Sequence, residues 1–250
     1  QETRVTLRNL CLDGEKRESA APAVFVDEGA SLYLDHTTIK DNICENDQGR
    51  FGGGISGSGD IHLMAGTLIH GNRTNGVGGG LQSDGQIFLY EGCIIRDNQA
   101  SRGGGLAVAP WELGASTGKY GSLVSMWGGE IINNRADQDG GGLYLESSSM
   151  ALMGGLIEGN EAGSRGGGIG GSSGYLFMTG GRVRGNRAVS GGGIGGSVNG
   201  LIKAAVYSNY ASQEGDDLYY DSNLSMVLCQ TVSPQPYMSW EADTGWPAFL

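Results

Sequence analysis

Glu146 and Asp221 hold the same position in this 250-residue chain, four residues past a glycine cluster, and Asp84 holds it in a third segment. Two carboxylates facing one sugar are the machinery of glycoside hydrolysis, which needs them roughly 5–9.5 Å apart. Asp216-Asp217 is a second acidic pair. Trp111, Glu112 and Tyr120 fall in one stretch, AVAPWELGASTGKYGS at 107–122; an aromatic beside a carboxylate on a loop suits a sugar ring or a peptide. Tyr144 on one side and Tyr219-Tyr220 on the other bracket two glycine-rich segments, GIGGSSG and GIGGSVNG. His36, His62 and His70 have no zinc spacing, and Cys11, Cys44, Cys93 and Cys229 form no CxxC. The cysteines read as free structural thiols. No cofactor is expected, and the one open alternative is a single structural calcium in a loop.

These residues are positioned by a repeat. Ile or Val stands three residues before Asn42, Asn72, Asn98, Asn134, Asn160, Asn186 and Asn209, and a glycine cluster follows each time. The clusters begin at Gly52, Gly78, Gly103, Gly140, Gly166 and Gly191 and decay to Gly215-Asp216-Asp217-Leu218. Their spacings are 26, 25, 37, 26, 25 and 24 residues. A fixed period of this size marks a stacked repeat protein. Each period holds an apolar stretch before the Asn, one after the glycines and one between them, the last reading IHLM, IFLY, LVSM, ALM, LFM, LIK and MVL. All are too short for helices and partly alternating, as half-buried strands are. The expectation is an all-β parallel β-helix (a solenoid) of about eight coils of roughly 25 residues, with three short strands per coil.

The repeated residues have mechanical reasons in such a coil. Asn at one place in every coil can pass amide hydrogen bonds up the stack as a structural ladder, and Asn also tolerates a left-handed bend. The glycines permit sharp bends and close approach of neighbouring coils. Arg135, Glu161 and Arg187, and likewise Arg102, Asp139 and Arg165, fall in register on successive coils as surface ion pairs. By the same stacking, Glu146 and Asp221 stand three coils apart, about 14 Å, too far for a glycosidase pair.

The pairing of GGGI/L with I/V-x-x-N resembles the GGA[I/L]…FxxN repeats of chlamydial polymorphic outer membrane proteins. It is similar to repeats of adhesin-like surface proteins of the pectate-lyase-like superfamily, most fully in GGEIINNRADQDGGGL, GGLIEGNEAGSRGGGI and GGRVRGNRAVSGGGI. That resemblance implies a right-handed β-helix, export, and an extracellular or cell-surface location in bacteria. Polygalacturonase-like sites of the superfamily carry NTD, GHG and RIK, none of which occurs here.

Glycine is 48 of the residues, but five prolines and no G-x-y period exclude collagen. The formal charge of −11 disfavours nucleic acid and anionic membranes, and no apolar run approaches the roughly 20 residues of a bilayer span. Gln1 leads directly into strand-like VTLRNLCLDG, so the chain is expected to start inside a longer protein, as a monomer within it. The domains expected are a β-helix over 1–232, with an excursion at 107–122, and an aromatic, Pro-rich cap over 233–250. The function expected is a non-catalytic, adhesin-like binding or scaffold module. Its partner would be a glycan or protein surface of a host or the environment. A carbohydrate-active enzyme (polysaccharide lyase or glycoside hydrolase) and a purely structural stalk are the alternatives.

Overall fold

A computed structural model describes residues 3–45, 51–109, 122–172, 175–201, 203–219 and 227–228. Of the excursion expected at 107–122, residues 107 and 108 belong to the regular strand Leu106–Val108 and 110–121 lie outside the described residues, as does the segment 233–250. The fold is a parallel β-solenoid of about eight turns, with no helix among the described residues, consistent with a right-handed β-helix. Every strand pairs in parallel with the equivalent strand one coil away, which is the arrangement that right-handed crossovers produce.

Four sheets run the length of the solenoid, one more than the sequence led us to expect. The first sheet holds the apolar stretch after the glycine-rich strand, from Thr3–Arg8 through Ala30–Asp35, Asp60–Leu63, Ile87–Leu89, Leu123–Met126, Ser149–Leu152 and Tyr175–Met178 to Gly200–Leu201 and Val227–Leu228. The second holds the Ile/Val before the motif Asn, as in Leu68–His70 and Glu130–Ile132. The fourth follows the glycines, as in Leu81–Ser83 and Leu143–Glu146. The unexpected third sheet begins directly after the Asn, in strands such as Arg73–Thr74, Arg135–Ala136 and Glu161–Ala162. Two residues cannot display alternation, so only their small inward residues (Cys44, Thr74, Ala100, Ala136, Ala162, Ala188) betray them.

Columns of large aliphatics fill the interior. Ile39, Ile69, Ile95, Ile131, Ile157 and Val183 are fully buried, and so are Leu81, Leu106 and Leu143 on the facing sheet. Each such side chain contributes roughly 1.5–3 kcal/mol of burial. The column is continuous, because register pairs like with like: Ile69 with Ile39 and Ile95, and Leu106 with Leu81 and Leu143. At the first coil the same columns open outward, leaving Val5, in register with buried Leu32, largely exposed.

The amide ladder fixes the corner. The Asn134 side-chain amide donates to Asn160 Oδ1 at 3.0 Å and to the Ile95 carbonyl at 3.0 Å, while its backbone N–H donates to the same Asn160 oxygen at 2.9 Å. The same bonds recur from Asn42 to Asn72, Asn98, Asn134, Asn160, Asn186 and Asn209. All donate in one direction, and the last acceptor is Asp217 Oδ1, which takes the Asn209 amide at 2.9 Å and its backbone N–H at 3.1 Å. The left-handed residue of this corner is the one before the Asn, not the Asn itself. Asp41, Asp97, Asn133 and Ser208 have φ of 54–55°, and Gly71, Gly159 and Gly185 have 63–65°. The Asn must keep ordinary backbone geometry to aim both of its donors at the next coil.

The glycine corner depends on close approach. Gly140 carries φ of 70°, and a Cβ on Gly141 would stand 2.4 Å from the Gly167 carbonyl oxygen of the next coil. No side chain fits there without prising the coils apart.

Replacing Asn134 with Ala strands the Asn98 donors and the Ile95 carbonyl in a dry corner, at a cost of about 3 kcal/mol. Chemical denaturation of Asn134→Ala beside Arg135→Ala checks this. The exposed Arg135–Glu161 pair, at 3.4 Å, should contribute under 1 kcal/mol. Equal shifts for the two variants would refute a stabilising ladder.

Candidate functional site

Trp111, Glu112, Tyr120, Tyr220 and Asp221 lie outside the described residues. Tyr144 is only 3% exposed, which corrects its expected role as a surface aromatic at the end of the glycine strip. It packs with Val77, Ala107 and Ala109 in a small second core beneath the glycine corner. Its hydroxyl accepts from Arg102 at 2.9 Å, and the same guanidinium lies 4.9 Å from its ring centroid. Gly170 and Gly195, the floor of that strip, are buried too, because a Cβ on either would stand 2.4 Å from the backbone nitrogen of Gly140 or Gly166. Folding of the glycine corner over this column turns an outward-facing row into interior.

The carboxylates are engaged in holding the coils. Glu146 is half-exposed, 3.9 Å from Arg102. Asp217 terminates the amide ladder, and Asp216 Oδ1 accepts the Ala211 backbone N–H at 2.6 Å. The decayed GDD cluster thus puts oxygen acceptors where a further Asn would stand. Tyr219 is half-buried and in register with Gly195. Among the described residues no group of three His, Cys, Asp or Glu side chains could hold a metal ion. Cys44 and Cys93 are buried, and burial pushes the Cys93 thiol up to about 12.

The surface with recognition chemistry is one the motifs did not point to: the outer face of the first sheet. Alternation there turns Ile61, Leu63, Ile87 and Leu89 inward and Tyr33, His62, Phe88 and Tyr90 outward. Tyr33 and His62 stack with ring centroids 4.1 Å apart and planes within 3°, and His62 stacks on Phe88 at 4.4 Å. Phe88 stacks on Trp127 at 5.8 Å and 5°, and Trp127 also meets Tyr90 at 5.1 Å. The guanidinium of Arg4 covers the outer face of Tyr33, 3.9 Å from its centroid. The row continues on later coils as Met153, Tyr175 and Phe177. Trp127 is 45% exposed, Met153 36%, Tyr175 58% and Phe177 49%.

This geometry determines what the face can contact. Parallel rings one coil apart spend their faces on one another and show solvent their edges. The exception is the last ring, because the coil after Trp127 carries Ala151 and Met153 rather than an aromatic. Trp127, Tyr175 and Phe177 therefore offer the accessible aromatic area. The sequence signal was the second and fourth letters of IHLM and IFLY and the Trp after LVSM, visible once alternation is applied letter by letter.

No family model, curated protein or solved structure matches this chain.

Within the stack His62 is held below the ordinary histidine value, first by burial between its neighbours; Asp60 opposes the shift, and Arg4 adds to it. Its folded-state value therefore lies below its unfolded one. The linked stability is complete above about pH 6.5 and is lost as pH falls through the folded value. His70, lowered by burial and by Arg96, has the same sign. His62→Phe keeps the stack without the titration, so its melting temperature should fall less between about pH 7 and 5 than that of the parent chain. Parallel melting profiles for the two proteins would exclude His62 as the source.

Proposed function

We propose that this chain is a non-catalytic, adhesin-like binding scaffold, displayed outside the cell, that engages a glycan or protein surface through the outer face of its first sheet. The observation that carries the reading is the row of exposed Trp127, Met153, Tyr175 and Phe177 on consecutive coils of a rigid sheet. Contiguous exposed apolar side chains on a soluble surface mark interaction sites, and aromatics contribute most of the contact energy at such sites. A solenoid suits the task because neighbouring coils hold the side chains at fixed spacing without a flexible loop. The absence of catalysis is supported by the carboxylates: Glu158, Glu161 and Asp139 face arginines on adjoining coils, and Asp216 and Asp217 cap backbone and amide donors. The likeness of the repeats to pectate-lyase-like surface proteins supports extracellular display.

The test is binding and turnover measured on one preparation. The full chain, Trp127→Ala and Phe177→Ala would be applied to immobilised glycans and to surfaces of purified proteins, with reducing-sugar and lyase assays run alongside. Binding without turnover is expected, with each variant weakened by about threefold or more. Turnover of any polysaccharide, or unaltered binding in both variants, would overturn the proposal.

A further inference from the structure

Past Tyr33, which Arg4 covers, the charge around the aromatic row is one-sided. Residues 60–67, 84–93, 122–130, 146–155 and 175–181, which supply the row and its adjoining turns, contain no Lys or Arg. They contain Asp60, Asp84, Glu91, Glu130 and Glu146. Of these only Glu146 has an ion pair among the described residues, at the long distance of 3.9 Å. Elsewhere on the solenoid acids meet bases across coils, as in Lys40–Asp13 at 2.7 Å, Arg184–Glu158 at 3.0 Å and Arg165–Asp139 at 3.3 Å. Beyond the first coil, where Arg4 covers Tyr33, the aromatic face thus carries carboxylates whose one ion pair among the described residues is the long Glu146–Arg102 contact, in a chain whose formal charge is −11.

The ladder itself shows what such a face accepts. At its first end the Arg4 guanidinium closes the stack over Tyr33. At its other end Trp127 presents the equivalent outer face with no ring beyond it. Indole is the best of the three aromatic platforms for a cation. Glu91 follows Tyr90 on the coil before Trp127, its backbone against Gly128, and Glu130 lies three residues past Trp127 on the same coil as the indole.

We infer that the partner of this face is a basic polypeptide segment, whose Arg or Lys side chains stack on Trp127 and meet the carboxylates of Glu91 and Glu130. This rests on the reading of the first sheet as a binding surface and names its ligand. A neutral glycan would use the ring but not the acids, and an anionic one would be repelled by them.

The test uses a labelled short peptide of alternating Arg and Ser, the same peptide with citrulline in place of Arg, and a neutral β-glucan hexasaccharide. Each is titrated into the full chain by fluorescence anisotropy or calorimetry. The Arg peptide should bind with an affinity that falls with salt, and the citrulline peptide should not. Trp127→Ala, which leaves the charge intact, should weaken binding roughly two- to fivefold, and Glu91→Gln with Glu130→Gln at least as much. Glu161→Gln, a carboxylate removed from the third sheet, should change nothing. Equal losses in Glu161→Gln and the Glu91/Glu130 pair, or none in Trp127→Ala, would reduce the binding to bulk charge attraction and overturn the inference. Binding of the hexasaccharide lost in Trp127→Ala, with no binding of the Arg peptide, would overturn it too, yet leave the face standing as a binding surface.

Discussion

Coils can rest on one another at strand spacing only if nothing at either corner stands between them, and that single constraint orders this molecule. At the glycine corner it is met by omission: the Gly141 α-carbon faces a carbonyl oxygen so closely that a methyl group cannot enter. At the neighbouring corner it is met by insertion of one residue, an Asn whose amide fills the gap and returns hydrogen bonds to the coils on both sides. With both corners closed to the same spacing, the four sheets hydrogen-bond in register and the aliphatic columns meet like to like. The surface ion pairs follow from that register and add little to it.

The same spacing explains the aromatic row. Rings placed at equivalent outward positions on adjacent strands come within stacking distance, so Tyr33, His62 and Phe88 form a ladder. Recognition chemistry then concentrates where the ladder stops. Trp127 ends it because the next coil carries small and flexible side chains. The Tyr175 and Phe177 side chains beyond are more exposed than the stacked rings before them. Stability and binding therefore divide along one face, with stacked rings at one end and free ones at the other.

Most of the fold was legible in the chain. The period, the inward Ile/Val and Ile/Leu columns and the ladder Asn all follow from spacing, because a solenoid translates sequence period directly into contact. The third sheet was not legible, since two residues such as Arg135 and Ala136 cannot show an alternation. The site was less legible than the fold. Tyr144 occupies an outward-facing register, but the glycine corner folds over that column, and burial of this kind is a tertiary fact. Asp216 and Asp217 look like a catalytic pair in sequence, and only the direction of the amide ladder reveals them as acceptors ending it. The aromatic face escaped notice because its residues differ from coil to coil: Tyr33, His62 and Phe88 share one surface position, and Tyr90 and Trp127 the next outward one, without sharing a motif.

The ladder also has a bearing on how such a chain can change over time. Every internal Asn donates forward and accepts from behind through the same set of bonds, so no coil between Asn42 and Asn209 is chemically marked as first, middle or last. Only Asp217 is unique, because it accepts without handing anything on. Length is consequently an adjustable quantity: duplication or loss of a whole internal repeat leaves the bonding of its neighbours as it was. The end of the amide ladder among the described residues, by contrast, is written once, in Asp217.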